Sequence, residues 1–171
     1  SINSTVFPSN NKDSCEFLIE HIIGTGSNDF KENDTLKRTQ KFYSHFSYDD
    51  GSVESAYGIN VSGAMGAYQF KLNRPDTIRM IQFKFVEMHE NLDGNKFLLT
   101  LWNNNNGIPG NKIYSDTVEI RYEDRGKFNN YYLKYGVGAV GTFFVGWEQL
   151  TDDILNLGLD KNSISNEYMY Y

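Results

Sequence analysis

The stretch Gly136-Val137-Gly138-Ala139-Val140-Gly141-Thr142-Phe143-Phe144-Val145-Gly146-Trp147 decides the fold, because it reads in two ways. Its first six residues fit G-x-G-x-x-G, and Asp160 follows about twenty positions on, where a dinucleotide-binding unit places its acidic residue. That reading needs the last glycine to open a helix whose N-terminus holds the pyrophosphate. Gly141 instead opens Thr142-Phe143-Phe144-Val145, which is β-branched and aromatic at a period of two. Too little chain then remains for the rest of a nucleotide-binding half. The stretch is expected to be a glycine-rich turn between two strands, with Phe143, Val145 and Trp147 aligned on one face.

Its surroundings read the same way. Lys96 to Trp102 (KFLLTLW) places Phe97, Leu99 and Leu101 on one face and Leu98, Thr100 and Trp102 on the other. Apolar groups on both faces predict a central strand. Strand patterns recur at Phe17–Ile23, Leu36–Tyr48, Gly66–Leu72, Thr77–Val86, Lys112–Ile120, Tyr131–Tyr135 and Leu155–Leu159. Arg74-Pro75-Asp76 reads as a turn, Asp93-Gly94 as a hairpin signal, and Asn103–Asn111 as a loop without strand character. Eight to ten short strands with turns between them predict an all-β antiparallel sandwich with little or no helix.

Composition removes several function classes. The 171 residues carry a formal charge of -6, whereas a nucleic-acid partner calls for a basic face that neutralises phosphates. Mean hydropathy is -0.55 and no apolar run approaches the length of a membrane span. Cys15 is the only cysteine, so no intrachain disulfide forms, and the chain is long enough to bury a core without one. His21, His45 and His89 are isolated from one another and from Cys15, without metal-type spacing. Nothing in the pattern supports a nucleophilic triad.

Two chemistries remain as candidates. Asp49, Asp50 and Glu54 form the tightest acidic group, and with turn carbonyls they could supply the oxygen ligands of a calcium ion. An Asp-rich turn whose carboxylates accept backbone N–H bonds explains the same residues. Trp102 and Tyr114 flank the polar 103–111 segment and are candidates for stacking on sugar rings, although core packing explains most aromatic residues of a sandwich. No catalytic residue is assigned and no cofactor beyond calcium is implied.

Phe46-Ser47-Tyr48-Asp49-Asp50-Gly51-Ser52-Val53-Glu54-Ser55-Ala56-Tyr57-Gly58 resembles the "AYDDGTAE-x-GYG" opening of a β-sandwich module found near the C-termini of large secreted and surface proteins of Bacteroidetes-type bacteria, often exported by the type IX route. Three further segments are similar to that module, in the same order. They are Asn33-Asp34-Thr35-Leu36 with Gln40 and Phe42, Leu101-Trp102 with Pro109-Gly110 and Ile113-Tyr114, and Phe143–Gln149 with Leu157–Asn162. Ser47 and Val53 depart from the pattern, which has alanine at both places.

The resemblance implies a jelly-roll-like, galactose-binding-like sandwich and a secreted or cell-surface, outer-membrane-associated location in a Gram-negative bacterium. It also implies a non-catalytic accessory, structural or adhesion role within a larger polypeptide. The expected partners are other domains of that polypeptide and a glycan or cell-surface partner, with no nucleic acid and no membrane span. A carbohydrate-binding module is the alternative, and a hydrolase acting through Asp49, Asp50 or Glu54 is the third reading. The expected layout is a loose N-terminal linker over 1–14 and one sandwich domain over 15–171. Within that domain, 15–44 are lead-in strands that also read as the end of a preceding domain. Residues 45–171 form the core sandwich, with a last strand expected beyond Tyr171.

Overall fold

Phe143, Val145 and Trp147 do share a buried face, on a strand far longer than the sequence pattern suggests. In the computed structural model, which describes residues 15–23, 35–42, 45–48, 53–88, 90–122, 127–161 and 166–171, this strand runs without a break from Asn129 to Gln149. The chain divides into two compact units, Ser1–Ser47 and Tyr48–Tyr171.

In the first unit, β1 (Cys15–Ile22) pairs antiparallel with β2 (Thr35–Phe42), from Cys15 opposite Phe42 to Ile22 opposite Thr35. Glu20 and Lys37 face each other across the ribbon and form an ion pair at 2.8 Å. Leu18, Ile22, Ile23 and Leu36 are exposed, so packing contributes little to this two-stranded element.

The second unit contains β3 (Ser55–Tyr57), β4 (Met65–Phe83), β5 (Lys96–Asn105), β6 (Ile108–Glu119), β7 (Asn129–Gln149), β8 (Leu157–Leu159) and β9 (Met169–Tyr170), with one 3₁₀ turn at Asn166–Tyr168. A five-stranded antiparallel sheet has the order β6-β5-β7-β4-β9, and β3 pairs with β8. The all-β antiparallel architecture expected from the sequence is therefore present. β5 lies between β6 and β7, and its two faces are both covered: Phe97, Leu99 and Leu101 are buried on one, Thr100 and Trp102 on the other.

β4 and β7 pair along nearly their whole length, and the pair bends. Leu72 faces Gly141 and Asp76 faces Ala139, so Asn73, Arg74 and Pro75 bulge opposite Val140. A second irregularity lies between Ile78 and Met80. Bulges of this kind let one strand pass from one layer of a sandwich to the other. Beyond the bend, Phe83 and Tyr131 pack on Phe97 at centroid distances of 5.9 and 5.6 Å, although β4 does not pair with β5. Phe85, bridged to Leu157 of β8, reaches the same ring at 5.2 Å. Phe97 is fully buried where these two layers meet.

Three expectations need correction. Arg74-Pro75-Asp76 does not reverse the chain; it is part of a bulge in a continuous strand, which spares Pro75 a ladder bond it cannot donate. Gly136–Gly141 is not a turn between strands but lies inside β7, with Gly141 at φ 63° where the strand bends. Asn103–Asn111 is not a loop. β5 and β6 extend into a hairpin that turns at Asn106-Gly107, with φ of 53° and 91°, and the positive φ at both central residues is what a tight two-residue hairpin turn demands.

Candidate functional site

The hairpin explains why the two aromatic candidates do not form a sugar platform. Because β5 continues as a strand past Trp102, that residue does not head a loop. Its indole is 4% exposed and packs with Ala67 and Phe144. Tyr114 is equally buried, on the opposite face, in the cluster that holds Phe97 and Trp147. Its hydroxyl accepts the Lys134 N–H at 3.1 Å and lies 3.4 Å from Asp116 Oδ2. Trp102 and Tyr114 are thus on different faces of the sheet, and neither offers a ring face to a ligand.

Of the three calcium candidates, Asp49 and Asp50 lie outside the described residues. Glu54 is exposed, and its carboxylate accepts the Lys161 N–H at 3.0 Å. Among the described residues no group of three or more His, Cys, Asp or Glu side chains is arranged to hold a metal ion.

The structure instead brings together residues at the end of β6 and the start of β7. Ile120 is buried, and its N–H donates to Asn95 O at 2.8 Å while its carbonyl accepts the Gly94 N–H at 3.0 Å. This anchor turns the chain after β6 and fixes the backbone of Arg121. Asn129, at the start of β7, donates from Nδ2 to Arg121 O at 2.6 Å. Tyr131 Oη donates to Glu119 O at 3.0 Å, and Lys134 Nζ to Asp116 Oδ1 at 2.6 Å. Side chains of β7 therefore hold it along β6, with no strand pairing between the two. Burial pushes the Tyr131 hydroxyl well above the ordinary tyrosine range, so it stays a donor to Glu119 O.

An open groove of about 750 Å³ runs along this seam. Among the described residues, Lys96, Arg121 and Lys127 contribute exposed cations to its lining and Glu119 contributes a carboxylate. Glu119 Oε2 lies 3.8 Å from Arg121 Nη2. Tyr132 is 74% exposed, and Phe128 is half-buried with Lys84 Nζ 5.7 Å from its ring centre. Asn129 lines the groove and is 4% exposed; its Oδ1 has no hydrogen-bond partner. A buried acceptor without a donor costs free energy, so native structures usually satisfy such a group.

Sequence reasoning missed this site. Lys127-Phe128-Asn129-Asn130-Tyr131-Tyr132 does concentrate a cation, three aromatic rings and two amides in six positions, and that was the available signal. Lys96 and Arg121 join it only because β5, β6 and β7 meet there. No family model matches the chain, and no curated protein or solved structure is significantly similar to it.

Proposed function

We propose that this chain is a non-catalytic accessory module of a larger secreted or cell-surface bacterial protein, with an adhesion role. The observation that carries the reading is the seam groove, whose lining includes groups that hold ligands: cations, amides and an exposed aromatic ring. The Glu119 carboxylate lies beside a guanidinium, and among the described lining residues no second carboxylate stands with it to divide acid and base roles. The location rests on the four motif segments that resemble the secreted module.

A fluorescent fusion of the chain, added to whole bacterial cells and to immobilised surface polysaccharide, tests the adhesion role. Retention through washing is expected. A fusion that elutes from both like the fluorescent protein alone overturns it.

The same groove favours a second reading, a carbohydrate-binding module, with the site moved from Trp102 and Tyr114 to the β6–β7 seam. A hydrolase acting through Glu54 gains no comparable support, because the Glu54 carboxylate is engaged by the Lys161 N–H.

A further inference from the structure

We propose that Tyr57 and Tyr171 form an oxidative cross-linking site, joined as a dityrosine bridge by a haem peroxidase working with hydrogen peroxide. Tyr57 is fixed by the β3–β8 ladder, where it faces Leu157, and it is half-buried against the main core cluster. Tyr171 directly follows β9, which pairs Tyr170 with Ala67 and Met169 with Tyr68 of β4. The two rings meet with their centres 5.1 Å apart and their planes at 42°. Tyr171 is 73% exposed, so an oxidant reaches it from solvent. Neither residue lines the seam groove.

Two other tyrosine pairs stand as close among the described residues, and their hydroxyls point to other partners. Tyr48 stacks on Tyr168 at 4.9 Å, but the Tyr48 hydroxyl donates to Gln69 O at 2.7 Å and the Tyr168 hydroxyl is held by the Glu167 carboxylate. Tyr114 meets Tyr135 edge to face at 5.3 Å, and its hydroxyl accepts the Lys134 N–H. At Tyr57 the hydroxyls turn to each other. Burial first, then the charge and hydrogen bond of the Tyr171 phenol, hold the Tyr57 pKa above the ordinary tyrosine range.

That contact is close to the geometry of the product, because the bond of a dityrosine joins the carbons ortho to the two hydroxyls. Each phenol gives one electron and its hydroxyl proton to the peroxidase. The two phenoxyl radicals join through their ortho carbons, and each ring becomes aromatic again as its ortho hydrogen passes to oxygen. The peroxide takes up the two electrons and two protons and leaves as two waters. Holding the rings together in one chain replaces a bimolecular encounter with an intramolecular one. The bridge would tie the chain after β9 to β3, where the strand pairing of β9 covers only two residues.

The test treats the whole chain with a plant peroxidase and hydrogen peroxide and follows biphenol fluorescence and peptide mass. The monomer is expected to gain that fluorescence and to lose a pair of hydrogen atoms, with the peptides carrying Tyr57 and Tyr171 joined. Groups held in one chain meet at an effective concentration on the order of millimolar, so at about 10 µM protein the bridge within a chain should exceed bridges between chains by about tenfold or more. Tyr57→Phe and Tyr171→Phe should each abolish it, while Tyr168→Phe and Tyr135→Phe keep it. Phenylalanine retains the ring packing, and an unchanged circular dichroism melt shows that the variants fold. A bridge that persists in Tyr57→Phe or in Tyr171→Phe overturns the site, wherever else it maps. Loss of the bridge in Tyr168→Phe alone moves the coupling to Tyr48 and overturns it equally. Coupling only between chains, or none, reduces Tyr171 to an exposed phenol and overturns the proposal.

Discussion

Gly66 faces Trp147 across the β4–β7 pair, and the Trp147 indole fills the space where a side chain on Gly66 would stand. The ring is 1% exposed, so it has nowhere to retreat. Gly66→Ala is expected to destabilise the second unit by about 1–3 kcal/mol, the usual cost of overpacking a filled core. The neighbouring Gly146→Ala should cost more, because its β-carbon would meet the Gly66 carbonyl, which is backbone and cannot rotate away. Urea midpoints of the two variants, compared with wild type, check both the sign and the order.

Phe97 supports both layers at once, touching the rings of Phe83, Phe85 and Tyr131. Phe97→Ala should cost about 3–5 kcal/mol, and Phe97→Leu distinctly less, since leucine refills much of the cavity. Equal losses in the two variants, read by chemical denaturation, would show that the ring contacts rather than the volume carry the site.

The hairpin tip makes a graded prediction. Gly107 sits at φ 91°, and its N–H donates to Asn104 Oδ1 at 2.8 Å. Gly107→Ala places a β-carbon in left-handed backbone and should cost about 1–2 kcal/mol. Asn106→Gly should be close to neutral, because both residues accept the φ of 53° found there. Thermal melts of the two variants separate the cases.

Alkaline pH should destabilise the protein through its buried tyrosines. Burial raises the Tyr131 pKa, and burial is also the main cause of upward shifts at Tyr48, Tyr57 and Tyr122. A tyrosine whose folded pKa lies above its unfolded value holds its proton more tightly when folded. The unfolded chain therefore ionises first, and stability falls as pH climbs past about 10, with no effect below it. Tyr131→Phe should make that fall shallower while lowering stability at pH 7 by about 1 kcal/mol through the lost bond to Glu119 O. Denaturation curves at pH 7, 9 and 10.5 measure both effects.

The strand character of this chain was legible from alternation alone, because Phe97-Leu99-Leu101 and Phe143-Val145-Trp147 bury one face at a period of two. What alternation did not show was continuity. Gly136–Gly141 and Arg74-Pro75-Asp76 carry the residues of turns, yet they face each other across one long bent pair, and only the cross-strand register reveals a bulge. Asn106-Gly107 was the missed local signal, obscured by the asparagines before it. Trp102 looked like a rim residue for the same reason: the strand was expected to end where it continues. The groove was least legible, since Lys96, Arg121 and Lys127 are neighbours only after folding.

The bent β4–β7 pair ties the two layers of the second unit into one mechanical element. Met65 meets Glu148 at one end and Phe83 meets Asn129 at the other, along the same two strands. Neither layer can peel away without breaking a ladder that continues into its neighbour. Amide protons of Phe70 in one layer and Ile81 in the other should then exchange through a common opening event with a shared free energy, and the seam groove should keep its shape until the whole unit melts.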